Sequence, residues 1–352
     1  MPESISERKR SHLELCQAEE VEYSGKTTLF EEIDLIHDAL PELAVGEVDV
    51  ATALLGKPLR APLLITGMTG GTEEASGINR DLARVAEEHG IAFGLGSQRA
   101  MQRTPDLAYT FEVRRHAPTT LVLANLGLVQ ATAQPTGAVE RLARAVGADA
   151  VCLHLNPAQE LIQPGGDRDF RYGLETLARL VRELPLPVVV KETGCGISRG
   201  VGERLVGAGV RTVDVSGAGG TSWIKVEALR AGAPGRELGT LFSDWGIPTA
   251  AALAGLRGLG FELIASGGIR SGLDVAKAFA LGAHAAGVAL PVLRAYRAGG
   301  VAAAGDFIER LIAGLKTAMV LTGSRDLDAL RRAPVVLGGR LREWVNAGGG
   351  GA

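Results

Sequence analysis

The segment Ser266-Gly267-Gly268-Ile269-Arg270-Ser271-Gly272 has the makeup of an anion cradle. It follows an apolar run, Phe261-Glu262-Leu263-Ile264-Ala265, that predicts a buried strand. It precedes Leu273–Leu281, which predicts a helix. Two adjacent glycines let backbone N–H groups approach a ligand with no Cβ in the way. The helix start behind them adds partial positive charge. A terminal phosphate is the ligand such chemistry takes, and the turn at Ala289-Leu290 after the next apolar run offers it a second wall.

Polar groups also end the other apolar runs. In order they are Gly67-Met68-Thr69-Gly70-Gly71, Gly96-Ser97-Gln98-Arg99, Asn125, His154-Leu155-Asn156-Pro157-Ala158-Gln159-Glu160, Lys191-Glu192 and Ser216-Gly217-Ala218-Gly219-Gly220-Thr221-Ser222-Trp223. Each has a plain alternative: a tight turn, a solvated lysine, or, for His154, a satisfied core histidine. Burying all of them unpaired would be costly, so one shared polar ligand is the simpler account. Lys191 offers a cation to an electron-rich ring edge. Asn125 and Ser97 can exchange hydrogen bonds with a polar heteroaromatic, and Thr69 can edge a flat ring. A flat polar ring carrying one phosphate suggests flavin mononucleotide (FMN). The glycines 217–220 lack the strand–GxGxxG–helix setting that NAD needs.

A second basic group is Arg8-Lys9-Arg10 with His12. Its alternative is a solvated tail. With Arg99, His154 and Asn156 at the same mouth it would clamp a diphosphate. Glu160 would then hold Mg²⁺, which favours carboxylate plus substrate phosphate oxygens. Gln159 is neutral, so it suits orientation or proton relay.

Strands are predicted at Pro62–Thr66, Ile91–Gly94, Thr120–Ala124, Ala150–Leu153, Pro187–Lys191, Thr212–Val215, Glu262–Ala265 and Ala285–Val288, with helices such as Asn79–His89, Ala138–Val146, Gly173–Leu184 and Ser198–Val206 between them. Eight such units predict an α/β fold, a (β/α)₈ TIM barrel whose working groups sit where strands end. A doubly wound open sheet would gather its polar groups near one switch point. Residues 1–59 read as an N-terminal extension packing on the barrel, 60–345 as the FMN-binding barrel, and 346–352 as a disordered glycine-rich tail. Gly232–Thr249 reads as a loop-like insertion near the mouth, and Asp306–Thr322 as a closing amphipathic helix.

Of 352 residues, 4% are aromatic and the formal net charge is −3, which argues against nucleic-acid partners. The three cysteines, Cys16, Cys152 and Cys195, form no disulfide or zinc pattern, which fits a reducing cytoplasm. Met1–His12 lacks the apolar core of a signal peptide, and no run is long enough to span a bilayer.

Arg8-Lys9-x-x-His12, Met68-Thr69-Gly70-Gly71, Gly96-Ser97-Gln98-Arg99, His154-x-Asn156-Pro157-x-Gln159-Glu160, Gly219-Gly220-Thr221-Ser222-Trp223 and Ser266-Gly267-Gly268-Ile269-Arg270 together resemble the type 2 isopentenyl-diphosphate isomerases, over essentially the whole barrel. The resemblance implies interconversion of isopentenyl and dimethylallyl diphosphate in isoprenoid precursor biosynthesis. It implies flavin contacts from Gly67, Met68, Thr69, Ser97, Asn125, Lys191, Ser216, Thr221, Gly267, Gly268, Arg270, Ala289 and Leu290. It implies substrate contacts from Arg8, Lys9, His12, Ser97, Gln98, Arg99, His154, Asn156 and Gln159, and Mg²⁺ at Glu160. NADPH as reductant and a tetramer or octamer also follow from it.

For the chemistry, reduced FMN is the expected acid/base, since Gln159 is too weak an acid alone. Glu227 is a candidate carboxylate or a surface helix residue. Trp223 is a cation shield or a core residue. Two rivals remain. One is a flavin oxidase or dehydrogenase of hydroxy acids or dihydroorotate, using His154 or Cys195. The other is a non-catalytic flavin- or phosphate-binding barrel.

Overall fold

The computed structural model describes residues 5–348. Eight parallel strands close on themselves: Leu63–Ile65, Ala92–Gly94, Val122–Gly127, Ala150–His154, Val188–Lys191, Thr212–Asp214, Glu262–Ser266 and Ala285–Val288. The eighth pairs with the first through Ala286 and Leu63, Gly287 and Leu64, and Val288 and Ile65. Closure rules out the open sheet and bears out the barrel. Helices wrap the outside, so nearly every strand residue is buried on both faces. That is why the strands read as unbroken apolar runs. The third strand extends to Gly127, three residues beyond the predicted Ala124. Asn125 stays inside it because both ends of its amide are engaged: Nδ2 donates to Leu95 O at 2.9 Å and Oδ1 meets His154 Nδ1 at 2.8 Å, which leaves a second N–H for the cavity it lines.

The helix after the first strand, Glu73–His89, starts six residues earlier than Asn79. Thr72 caps it by accepting from Ala75 N, and Gly90 ends it in the left-handed region at φ 62°. The helix behind the glycine cradle, Gly272–Ala280, is set by a capping box between Ser271 and Asp274.

Three further features differ from the sequence reading. The insertion at 232–249 is not all loop: Ala233–Leu241 is a helix, with Pro234 in its first turn. Asp306–Thr322 belongs to a longer helix, Leu290–Leu321, broken at Gly299 and Gly300, where φ is −153° and 68°. The last helix, Gly339–Ala347, runs two residues into the expected tail, and residues 349–352 lie outside the described residues.

Before the barrel, Thr52–Leu54 and Lys57–Leu59 form an antiparallel hairpin. Leu54 and Leu59 are buried with Leu64, Leu121, Leu123 and Val189 inside the cylinder, so the hairpin closes the end where strands begin. Glu262, the first residue of the seventh strand, accepts from Leu55 N at 3.1 Å and holds it there. Ile33–Leu35 of the extension pairs antiparallel with Val335–Leu337 near the other end of the chain.

Candidate active site

The floor is plugged, and the opposite end holds a cavity walled by the strand ends and by an arm helix, Ile5–Ala18. One side of the cavity is the glycine cradle. Gly267 and Gly268 take φ of 94° and 80°. A Cβ on Gly267 would stand 2.2 Å from Gly217 O, and one on Gly220 would stand 2.4 Å from Gly268 N. Only bare backbone fits here, as an anion cradle requires. Ser216, at φ 37°, Thr221, Arg270, Ala289 and Leu290 line the same cavity.

Gly67, Met68, Thr69, Ser97, Asn125 and Lys191 form the neighbouring wall. The Thr69 hydroxyl is buried and has no hydrogen-bond partner among the described residues. Such a group calls for a ligand. Lys191 reaches the cavity from the fifth strand, and its register partner on the sixth is Asp214. Asp214 is held by Ser266 Oγ at 2.6 Å and Ser216 N at 3.2 Å, and burial pushes its carboxyl up. Burial, then the charges of Lys191, Lys9 and Arg99, pull His154 down to about 3. It is therefore neutral, and because Asn125 Oδ1 can only accept, the proton sits on Nδ1.

The arm helix places Arg8 and His12 one turn apart on a single face, with Lys9 beside them, and all three line the cavity. His12 Nε2 lies 2.8 Å from Glu227 Oε1, and its ring meets Trp223 edge-on, with centroids 5.1 Å apart. Burial and the Arg8 charge pull Lys9 down to about 8. Glu227 sits in the helix Trp223–Arg230, wholly buried behind the wall rather than on it. Arg230 pairs with it and Gln159 Nε2 reaches it at 3.4 Å. Burial works against its charge, but the bonds and charges of His12 and Arg230 outweigh that and hold its carboxyl below the ordinary value.

Gln159, Asn156 and Glu160 lie around the short helix Pro157–Ile162. Glu160 accepts from Asn156 Nδ2 at 3.1 Å and Asp167 N at 2.7 Å, and Arg99 Nη1 stands 3.7 Å away. Arg99 also pairs with Asp167 at 3.2 Å. Among the described residues no group of three or more His, Cys, Asp or Glu side chains is arranged to hold a metal.

Every residue expected from the sequence lines this cavity except Gln98 and Glu227. Gln98 is turned into the wall. Its Oε1 accepts from Asn125 N at 3.0 Å and its Nε2 donates to Leu142 O at 3.0 Å. The sequence reading missed Gln163. With its amide oriented to satisfy both neighbours, it donates to Glu227 Oε1 at 3.2 Å and accepts from Arg8 Nη1 at 3.0 Å. Its position one turn after Gln159 was the available signal.

The chain is 45% identical over 348 residues to an isopentenyl-diphosphate delta-isomerase of Methanothermobacter thermautotrophicus, covering 98% of this chain and 97% of the relative. The corresponding protein of Nostoc is 46% identical over 331 residues, with 93% and 94% covered. This chain belongs to the isopentenyl-diphosphate delta-isomerase family. The profile of the FMN-dependent dehydrogenase family also matches residues 101–337. Among solved structures, a mandelate oxidase variant with a monooxide FMN adduct aligns with a TM-score of 0.62 at 22% identity, covering 90% of this chain and 94% of that one. Mandelate oxidase with (S)-2-phenylpropionate also gives 0.62 at 22% identity, with 90% and 92% covered. These two share the barrel fold of this chain.

Proposed function

We propose that this chain interconverts isopentenyl and dimethylallyl diphosphate, with FMN held at the barrel mouth. The observation that carries this reading is one cavity lined by both the Gly267-Gly268 cradle and the arm face that carries Arg8, Lys9 and His12, the first two of them cations. A barrel that only bound a flavin would need the first and not the second.

The residues present fit FMN. The partnerless Thr69 hydroxyl, the glycine cradle that a Cβ would fill, and Lys191 match a polar ring with a terminal phosphate. In its reduced form FMN supplies an acid–base group at its ring. Gly267, Gly268, Arg270, Ala289 and Leu290 would hold its phosphate. Gly67, Met68, Thr69, Ser97, Asn125, Lys191, Ser216 and Thr221 would orient the ring.

The reaction adds one proton at a terminal carbon and removes another from an allylic carbon, with no net redox change. Protonating an unactivated alkene creates a tertiary cation, which demands a closed pocket and few nucleophiles. Arg8, Lys9, His12, Arg99 and Asn156 would bind the diphosphate. Neutral His154 donates its only ring proton to Asn125, so it would meet a phosphate oxygen only after gaining a second proton. Trp223 would shield the hydrocarbon end. Gln159, oriented by Glu227, would position the reacting carbons.

Glu160 fits Mg²⁺ as a single carboxylate on the cavity wall, the remaining ligands coming from water and substrate phosphate. NADPH as the source of reducing electrons completes the reading. The free cysteines Cys16, Cys152 and Cys195 suit a reducing cytoplasm. The exposed apolar side chains Leu40, Leu241 and Trp245 suit contacts between copies in a tetramer or octamer. Among the described residues no helix is long and apolar enough to cross a membrane.

The test is anaerobic turnover of isopentenyl diphosphate by yellow protein reduced with NADPH, in the presence of Mg²⁺. Product should accumulate far beyond the NADPH consumed. One NADPH lost per product would mean net reduction and overturn the isomerase reading, and oxygen consumed with a hydroxy acid in a separate aerobic assay would favour the oxidase reading.

A further inference from the structure

Glu22 ties the cradle to the arm. One carboxylate oxygen takes Arg270, and the other takes Arg294 Nη1 at 3.2 Å. Arg270 follows Gly268 on the cradle loop and lines the cavity. Arg294 stands on the helix Leu290–Leu321 and also donates to Cys16 O at 3.4 Å and Glu19 O at 3.3 Å. Cys16 lies in the last turn of the arm helix and Glu19 directly after it, where a cation complements the helix dipole. Cradle, Arg270, Glu22, Arg294 and helix end thus form one unbroken chain of charged contacts.

The backbone keeps Glu22 in place. Tyr23 N donates to Gly220 O at 3.0 Å and Ser222 N donates to Val21 O at 2.9 Å. Lys225 Nζ holds Glu22 O at 3.1 Å. The carboxylate therefore stays beside both arginines. Burial opposes its charge, but the two guanidiniums hold the carboxyl below its ordinary value. A guanidinium presents five donors in a rigid plane, so Arg270 can serve a phosphate and Glu22 together.

We propose that Glu22 is a positioning residue that seats the arm helix against the phosphate cradle through Arg270 and Arg294. This rests on the reading above that Arg8, Lys9 and His12 grip the substrate diphosphate. Binding of a diphosphate then depends on a residue that never touches it.

The experiment uses FMN-loaded full-length protein, wild type and the variants Glu22→Gln, Arg294→Gln and the double change. Three readouts are inorganic pyrophosphate affinity by calorimetry, amide exchange across 5–18, and the split between kcat and KM. Each single variant should weaken pyrophosphate about tenfold and speed exchange in the arm helix. KM should rise while kcat stays within about twofold. The double variant should be no worse than either single, because both break the same chain.

Additive losses, or unchanged arm exchange and pyrophosphate affinity in both singles, overturn the proposal. So does loss of FMN in parallel with pyrophosphate, since Glu22 would then merely hold the cradle together. If Glu22→Gln does not fold, Arg294→Gln decides alone. Wild-type protein that ignores pyrophosphate sinks the diphosphate reading and this coupling with it. Wild-type protein that binds it, with variants that match it, sinks only the coupling.

Discussion

His12 Nε2 and Glu227 Oε1 stand 2.8 Å apart, joining a side chain on the cavity wall to a carboxylate sealed from solvent. The carboxylate also takes Arg230 and Gln159, so it fixes both the arm and the glutamine on the cavity wall. Replacing Glu227 by Gln removes the charge while keeping the shape. Turnover should fall on the order of 100-fold, the size of a lost acid–base or orienting group. FMN content, read from the visible spectrum, should be unchanged. A kcat within threefold of wild type would reduce Glu227 to a packing role.

Glu160→Gln tests the metal. The variant should retain FMN, lose most of its turnover, and show little response to added Mg²⁺. A metal titration of initial rates checks this. Full activity with an intact Mg²⁺ dependence would move the metal elsewhere.

Lys9 sets a pH dependence. Burial and Arg8 bring its ammonium down to about 8, and a bound anion favours the protonated form. Taken relative to Lys9→Met, a comparison that cancels the titration of pyrophosphate itself, wild-type affinity should keep its advantage below neutrality and lose it as pH rises through about 8. Identical pH profiles for the two proteins would exclude Lys9 as the titrating group.

Gly268→Ala tests the cradle. The new Cβ would lie 2.3 Å from Thr28 Cγ2 and 2.8 Å from Gly219 O, in a left-handed backbone at φ 80°. The strain alone costs about 1–3 kcal/mol. FMN retention through purification should drop at least tenfold, giving pale protein with a lowered melting temperature. Protein as yellow and as stable as wild type would mean that no close backbone approach is needed there.

The barrel was legible because double burial writes its strands as apolar runs, and because the working groups follow directly at their ends. Asn125 hid the end of its strand, since a polar residue inside a barrel wall is paid for by distant partners, here Leu95 just past the second strand and His154 on the fourth, which no local pattern shows. The hairpin at 52–59 and the pairing of Ile33–Leu35 with Val335–Leu337 use strands of three residues, too short for a periodic signal. Ser97 and Gln98 are adjacent and both polar, yet only the first faces the cavity. That choice is made by the backbone amide of Asn125, which captures Gln98. Glu22 and Arg294 meet across 272 residues, and nothing near either one announces the other.

The pairing of Ile33–Leu35 with Val335–Leu337 also orders events during translation. The early strand leaves the ribosome long before its partner is made, and its backbone edge stays open until then. A nascent chain stalled short of Val335 would already contain all eight staves yet still expose a sticky β edge beside the helix Gly272–Ala280, a natural target for chaperones.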